Sequence, residues 1–224
     1  MAEIINGKKI SKEIKDELKL KVENLKKQGK ECCLAVIQVG NDPASSVYVG
    51  NKKKACEYIG IKSLAYELTE DTTEEEILHL IDELNKNPKV HGILCQLPLP
   101  KHLDEKTVIE SISPDKDVDA FHPINVGKIM VGNYDFLPCT PAGIMTLLDY
   151  YNIEIQGKKV LVIGRSNIVG KPMVHLMLEK NATVIVAHSK TRKDDLLRLF
   201  ATSDIVVSAT GVRNIIDEDD AWQY

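Results

Sequence analysis

Long apolar stretches are absent from this sequence. No segment approaches the roughly 20 apolar residues that a membrane-spanning helix needs. The first residues, MAEIINGKKISKEI, also lack the apolar core of a secretory signal. We therefore expect no membrane association, no export and a cytoplasmic location.

An excess of one charge is absent as well. The 224 residues include 29 Lys and Arg against 33 Asp and Glu, a net charge of −4, and the basic residues are spread along the chain. Nucleic acids and anionic membranes are usually bound by a concentrated basic patch. The sequence therefore predicts a small-molecule partner and no nucleic acid.

The sequence also lacks closely spaced cysteine pairs. The five cysteines include no Cys-x-x-Cys pair, and Cys33 and Cys95 stand in apolar, strand-like runs. This usage indicates reduced, buried thiols in a cytosolic protein and argues against a disulfide framework or structural zinc. No metal site is expected.

What the first half contains is an alternation of helices and strands. An amphipathic helix is predicted over 10–28, with Gly29 as its cap, and further helices over 44–59 and from Thr72 or Thr73 to Pro88. Strands are predicted at 33–39, 61–68 and 90–96. This order predicts an N-terminal parallel α/β sheet domain over residues 1–120.

The second half repeats the alternation over residues 121–224. Thr140 and Pro141 have the pattern of an N-cap followed by proline in the first turn. Apolar runs at 158–164, 182–188 and 204–210 then alternate with helical segments. We predict a C-terminal Rossmann-type NAD(P)-binding domain, with a cleft between the two domains.

The dinucleotide prediction depends on Gly164 and Gly170. Gly164 ends a predicted strand and Gly170 begins a helix, where a pyrophosphate can approach backbone amides. The spacing is G-x5-G rather than G-x-G-x-x-G. A glycine-bearing turn without a ligand is the alternative.

The end of the second strand in the second half, the predicted strand at 182–188, indicates whether NAD or NADP is bound. An NAD site usually has an acidic residue there, but the segment reads AHSKT, with Ser189 and no carboxylate. Arg165 supplies a guanidinium suited to a phosphate. These features favour NADP, although Arg165 and Ser189 could also be ordinary turn residues.

Helical spacing separates the lysines of VYVGNKKKA. Lys52 shares one stripe with Tyr48, Ala55 and Ile59, so it lies on the less polar face of its helix. Burial makes a lysine usable as an acid or base near neutral pH. Alternatively, its stem extends along this face towards solvent. Tyr-x-x-x-Lys also occurs in short-chain dehydrogenases, but there the glycine-rich turn precedes the tyrosine.

Two further segments place polar side chains where ligands collect. Gln96, in CQLPLP, ends a predicted central strand, and the loop SPDKDVDAFHPINVGKI contains Asp115, Asp117 and Asp119. Taken alone, each of these segments could equally be an ordinary turn.

Five ordered segments together carry a family resemblance: ASSVYVGNKKKA, CQLPLP, SPDKDVDAFHPINVGKI, LPCTPAGI and VIGRSNIVGKPM. The chain resembles the bifunctional methylenetetrahydrofolate dehydrogenase/methenyltetrahydrofolate cyclohydrolase (FolD) family over essentially its whole length. The resemblance implies NADP-dependent oxidation of 5,10-methylenetetrahydrofolate and hydrolysis of the product to 10-formyltetrahydrofolate. It also implies a homodimer acting in one-carbon metabolism and purine biosynthesis.

The resemblance assigns roles to individual residues. Lys52, Tyr48 and Gln96 match the family's catalytic positions, and Tyr48 and Asp119 match its folate-binding positions. The matching cofactor positions are Gly164, Arg165, Ser166, Gly170 and Ser189, with Thr140 and Thr210 near the nicotinamide end.

Two departures from the family pattern limit what is carried over. Ala120 replaces the usual glycine after KDVD, which matters if that residue needs a positive φ angle. The family also continues past DEDDAWQY, so we consider a truncated nucleotide-binding module without folate turnover as an alternative. A monofunctional dehydrogenase is a third hypothesis, against which Lys52 and Gln96 argue.

Overall fold

The chain divides into two units. A computed structural model describes residues 2–216, and its two units are Met1–Asn125 and Val126–Tyr224. The sequence-based boundary lies slightly earlier, after residue 120. The structural division falls within one short helix, Pro123–Met130.

The first unit is a three-stranded parallel sheet with helices on both faces. Its elements are α1 (Gly7–Lys27), β1 (Cys33–Val39), α2 (Pro43–Ile59), β2 (Lys62–Leu68), α3 (Glu74–Lys86), β3 (Gly92–Cys95) and α4 (Glu105–Ser111). The strand order is β2-β1-β3, with β1 in the centre. The predicted α/β fold of this unit is confirmed.

Alternating side chains of the central strand build the two sides of this unit's core. Ile37 packs in a buried cluster with Ile77 and Ile81 of α3. Its neighbour Val36 points to the other side and clusters with Val49 of α2. Both faces of the sheet are therefore apolar, as expected for parallel strands covered by helices.

The second unit has the same plan. Its elements are α5 (Pro123–Met130), α6 (Cys139–Tyr150), β4 (Lys159–Ile163), α7 (Gly170–Glu179), β5 (Thr183–Ala187), α8 (Lys193–Ala201) and β6 (Ile205–Ser208). The parallel strands lie in the order β5-β4-β6. Val160 and Val162 pack on one side of the sheet, and Leu161 and Ile163 on the other.

The start of α6 differs from the prediction. Pro138, not Thr140, takes the N-cap position, and no side chain caps this helix. The reason is that the carbonyl of Pro138 accepts the amide of Ala142 at 3.1 Å, which begins the helical ladder earlier. Pro141 then sits inside the first turn, where its missing N–H costs no hydrogen bond.

Other helix ends follow their sequence signals. Thr73, one of the two predicted caps, forms a reciprocal capping box with Glu76 at the start of α3. Gly29 has a φ of +74° after α1, and its helix starts three residues before the predicted position. The helices α4 and α5 are not predicted from the sequence pattern.

None of the helices between residues 2 and 216 is long and apolar enough to cross a membrane.

Candidate active site

Each sheet has a switch point at its first strand. In the first unit, β1 pairs with β2 on one side and β3 on the other; in the second unit, β4 pairs in the same way with β5 and β6. The chain therefore winds in opposite directions from β1 and from β4. Ligands of parallel sheets bind in the crevice that this reversal opens at the carboxyl ends of the strands.

At the first switch point, Lys52 meets Gln96. Lys52 lies on α2, which follows β1, and its Nζ donates to Gln96 Oε1 at 3.1 Å. Gln96 directly follows β3, and its backbone amide donates to the carbonyl of Ile37 on β1 at 2.8 Å. The lysine, on the helix that follows the central strand β1, is therefore bonded to the residue that follows the neighbouring strand β3.

The orientation of the Gln96 amide is fixed by a second contact. Its Nε2 donates to the carbonyl of Leu97 at 2.8 Å. Because an amide nitrogen can only donate and the oxygen only accept, this contact directs Oε1 towards the ammonium of Lys52.

The predicted stripe on α2 is less exposed at Lys52, Ala55 and Ile59, but not at Tyr48. Lys52 is half-buried, whereas Lys53 and Lys54 are exposed. Tyr48 lies one turn before Lys52 and is 62% exposed. The ring of Tyr48 is therefore not part of the apolar core, and a ligand could reach it.

The three aspartates of the following loop have different environments. Asp117 is only 3% exposed, and its Oδ2 accepts from the His122 amide at 2.8 Å and from Asn125 Nδ2 at 2.9 Å. Asp115 is exposed and Asp119 half-buried. Asp117 therefore shapes the loop from within, whereas Asp119 is the more accessible of the two carboxylates.

Asp119 lines a narrow cavity in the first unit together with Cys95 and Phe121. Burial raises the pKa of the Cys95 thiol to about 12, and the nearby charges of Asp119 and Glu105 add to the effect. The thiol is protonated at neutral pH and is a poor nucleophile. Because Cys95 and Asp119 line the same cavity, Asp119 lies near the end of β3, which Gln96 directly follows.

Lys116 is a residue whose function the sequence did not reveal. Its Nζ donates to three carbonyls at the end of α3, those of Leu84, Asn85 and Asn87, at 2.8–2.9 Å. Desolvation lowers the pKa of Lys116. This ammonium fastens the acidic loop to α3, but in the sequence a lysine among aspartates is typical of a solvated turn.

The second switch point contains the two glycines. Gly164 has a φ of +129°, and a Cβ there would lie 2.3 Å from the carbonyl oxygen of Ala209, just after β6. A Cβ on Gly170 would lie 2.5 Å from the Gly164 carbonyl oxygen. Neither position can carry a side chain, so this βα turn is as tight as a dinucleotide-binding turn requires.

Ser166 caps the helix that follows. Its Oγ accepts from the amides of Val169 at 3.1 Å and Gly170 at 3.2 Å, and its carbonyl accepts from Lys171 at 3.0 Å. These amides were candidates for a pyrophosphate and are instead paired within the loop. The hydroxyl hydrogen of Ser166 remains a donor that a phosphate oxygen could accept.

The remaining predicted cofactor residues all belong to the second unit. Arg165 and Ser189 are exposed and follow the paired strand ends Ile163 and Ala187 by two residues each. Thr210 follows β6, where its Oγ1 accepts from the Val212 amide at 3.3 Å. Thr140 is exposed in the first turn of α6.

The residues present fit an NADP molecule. The turn has no room for side chains at its glycines, and the neighbouring strand ends carry a guanidinium and a hydroxyl but no carboxylate. Within residues 2–216, no group of three or more His, Cys, Asp or Glu side chains could hold a metal ion. The site is therefore of the class expected in an NAD(P)-linked oxidoreductase.

Two family matches identify the chain more closely. The family described as tetrahydrofolate dehydrogenase/cyclohydrolase, catalytic domain, matches residues 5–119, and the corresponding NAD(P)-binding domain matches residues 138–222. The chain belongs to the tetrahydrofolate dehydrogenase/cyclohydrolase family. It is accordingly an enzyme with these two activities, and the resemblance identified in the sequence is confirmed.

Comparisons with individual proteins support the same family assignment. The chain is 63% identical to the bifunctional protein FolD of Agathobacter rectalis over 97% of the chain and 77% of that protein. It superposes on the FolD dehydrogenase/cyclohydrolase of Campylobacter jejuni with a TM-score of 0.94 at 50% identity, covering 97% of this chain and 77% of that one.

A third relative was solved with a cofactor. The FolD enzyme of Trypanosoma brucei, complexed with NADP and an inhibitor, gives a TM-score of 0.92 at 36% identity, covering 96% of this chain and 73% of that one. The chain thus spans about three quarters of each of these relatives. Since the matches include the catalytic domain, they argue against the alternative of a nucleotide-binding module without folate turnover.

Proposed function

We propose that this enzyme oxidises 5,10-methylenetetrahydrofolate with NADP and hydrolyses the resulting methenyl cation to 10-formyltetrahydrofolate, with Lys52 as the central catalytic residue. The observation that carries this proposal is the hydrogen bond between Lys52 Nζ and Gln96 Oε1 at the carboxyl edge of the first sheet. The carboxylate of Asp119 lies near the same edge.

The first step requires alignment more than acid or base chemistry. NADP, when bound, accepts a hydride from the methylene carbon, and the product is a resonance-stabilised cation. The protein's task is to hold the folate in one orientation. Asp119 can accept two hydrogen bonds from the aminopyrimidine edge of the pterin, and the exposed ring of Tyr48 can stack on the folate.

The second step needs a group that moves protons. Attack of water on the methenyl carbon releases a proton, and opening of the ring requires a proton on the departing nitrogen. Lys52 can carry out both transfers, because Gln96 fixes its Nζ in one position and offers it only an acceptor. Gln96 is thus proposed to position Lys52.

The preference for NADP is proposed to come from Arg165 and Ser189. Arg165 and Ser189 each lie two residues beyond the paired strand ends Ile163 and Ala187. A guanidinium and a hydroxyl can bind the 2′-phosphate, whereas the ribose 2′-hydroxyl of NAD has no carboxylate to pair with in AHSKT. Ser166, Gly164, Gly170, Thr140 and Thr210 are proposed to contact the rest of the cofactor.

The family resemblance supports three further proposals: a homodimer, a cytoplasmic location and a role in supplying one-carbon units for purine biosynthesis. The quaternary proposal is tested by light scattering. A mass of twice the 25.0 kDa chain is expected, and a monomer at all accessible concentrations would contradict it.

Replacing Lys52 tests the catalytic proposal. Lys52→Met retains the length of the side chain but cannot transfer protons, so we expect loss of methenyltetrahydrofolate hydrolysis by at least about a hundredfold. The decay of methenyltetrahydrofolate absorbance measures this step. Lys53→Met is the matched control, because Lys53 is exposed on another face of α2. Equal rates in Lys52→Met and in the unaltered enzyme would disprove the assignment.

A further inference from the structure

The turn that follows β5 is closed by three hydrogen bonds. The amide of His188 donates to Thr191 Oγ1 at 2.9 Å, and the amide of Thr191 donates to the His188 carbonyl at 2.8 Å. The amide of Lys190 donates to His188 Nδ1 at 3.1 Å. We call this segment, residues 188–191, the β5 turn.

The side chains of the β5 turn divide into two kinds. His188 and Thr191 are half-buried and form the closing bonds, whereas Ser189 and Lys190 are exposed at the apex. No further side chain caps the helix that follows, because its N-cap residue, Arg192, makes no side-chain cap hydrogen bond. The hydroxyl of Thr191 thus joins the last residue of the turn to the backbone amide of its first residue.

The β5 turn is also linked to the glycine-rich turn. Ala187, the last residue of β5, accepts a hydrogen bond from the Gly164 amide at 2.8 Å. Adjacent parallel strands lie about 4.8 Å apart, so the residues just beyond Gly164 and Ala187 leave the sheet side by side. The position of the Ser189 side chain relative to Arg165 therefore depends on the conformation of the β5 turn.

We propose that Thr191 is a positioning residue for NADP selectivity: its hydroxyl holds the β5 turn in the conformation that presents Ser189, and with it Lys190, to the 2′-phosphate. This inference rests on the proposed 2′-phosphate contact of Arg165 and Ser189. Without the hydroxyl, the His188 amide loses its acceptor, and the apex residues are held by two hydrogen bonds instead of three. We expect the contacts with the rest of the cofactor to be unaffected, because the residues proposed for them, such as Ser166 and Thr210, lie outside the β5 turn.

The test compares the affinities of NADP and NAD, measured by titration calorimetry on the full chain. Thr191→Val should raise the Kd for NADP by roughly fivefold to tenfold, the loss expected for one hydrogen bond, and change the Kd for NAD by less than about twofold. The fragment 2′,5′-ADP should lose affinity like NADP, and 5′-AMP should behave like NAD. Thr191→Ser, which retains the hydroxyl, should restore the affinity for NADP.

Thr202→Val is the matched control. Thr202 is exposed just after α8, and its hydroxyl donates to the Arg198 carbonyl at 3.0 Å, so the same substitution is made away from the β5 turn. Equal weakening of NADP and NAD by Thr191→Val, no weakening of either, or failure of Thr191→Ser to restore binding would overturn the inference.

Arg165→Ala, measured in parallel, separates this inference from the function on which it rests. If Arg165→Ala weakens NADP much more than NAD while Thr191→Val does not, the 2′-phosphate site stands and only the positioning role is wrong. If Arg165→Ala weakens both cofactors equally, the proposed phosphate contact fails, and the role of Thr191 fails with it.

Discussion

Ala120 adopts a backbone conformation that L-residues seldom take. Its φ is 55°, and its side chain is fully buried. The family pattern that the sequence resembles has glycine at this position, and the positive φ angle of Ala120 provides a physical reason for it. The methyl group of alanine is tolerated in the left-handed region at a cost, but a branched side chain is much more strained there.

Substitution of Ala120 separates strain from packing. We expect Ala120→Val to lower the free energy of unfolding by about 2 kcal/mol or more. Ala120→Gly should change it by less than about 1 kcal/mol, because relief of strain is offset by loss of the buried methyl group and by a more flexible unfolded chain. Denaturant unfolding measures both variants. Equal destabilisation by valine and glycine would show that backbone strain is not the dominant effect.

At the level of elements, the loop that carries Asp119 is held through Lys116 by both β3 and α3. The Ile93 amide of β3 donates to the Lys116 carbonyl at 2.7 Å, and the Lys116 ammonium closes the end of α3. Gly92 makes close packing possible, since a Cβ there would lie 2.5 Å from Val118 Cγ1. The position of Asp119 thus depends on the packing of its loop against β3 and α3.

Removal of the Lys116 ammonium should affect folate more than cofactor. Lys116→Met leaves three carbonyls at the end of α3 without this donor, and a loss of stability of about 2 kcal/mol is expected. The KM for 5,10-methylenetetrahydrofolate should rise by roughly tenfold, and the Kd for NADP should stay unchanged. Lys89→Met, at an exposed lysine near the end of α3, is the control. A rise in the NADP Kd of the same size would argue against a local effect.

The capping box of α3 predicts a dependence of stability on pH. Hydrogen bonds from the Thr73 backbone and side chain hold the pKa of Glu76 below its ordinary value. A depressed carboxyl pKa stabilises the fold above the unfolded pKa, and this contribution is lost as the pH falls through the lower, folded value. Thr73→Ala should therefore flatten the acid limb of a plot of unfolding free energy against pH. An unchanged acid limb would mean that the box contributes nothing.

At the scale of the whole molecule, the architecture was largely predictable from the sequence. Apolar runs such as 33–39 and 158–164 are buried on both faces, so their composition alone indicates parallel strands under helices. The starts of α4 and α6 were not predictable, because α4 is only seven residues long and the N-cap residue of α6, Pro138, offers no side-chain hydrogen bond.

The candidate site was predictable only in part. Lys52 could be placed on the less polar side of α2 because helical spacing is a local property. The family resemblance selects Asp119 rather than Asp117, but the different environments of the two carboxylates could not be predicted, since they depend on Asn125 and on the end of β3, which reach this loop only in the folded chain. The same holds for Lys116 and Thr191, whose roles arise from backbone groups that no sequence pattern displays.

The most direct test of this account is turnover of 5,10-methylenetetrahydrofolate by the 224-residue chain in the presence of NADP. We predict formation of methenyltetrahydrofolate, seen as a rise in its absorbance, followed by its hydrolysis to 10-formyltetrahydrofolate faster than in buffer. Saturable binding of NADP with no folate turnover would contradict the account, and accumulation of methenyltetrahydrofolate without accelerated hydrolysis would contradict the role given to Lys52.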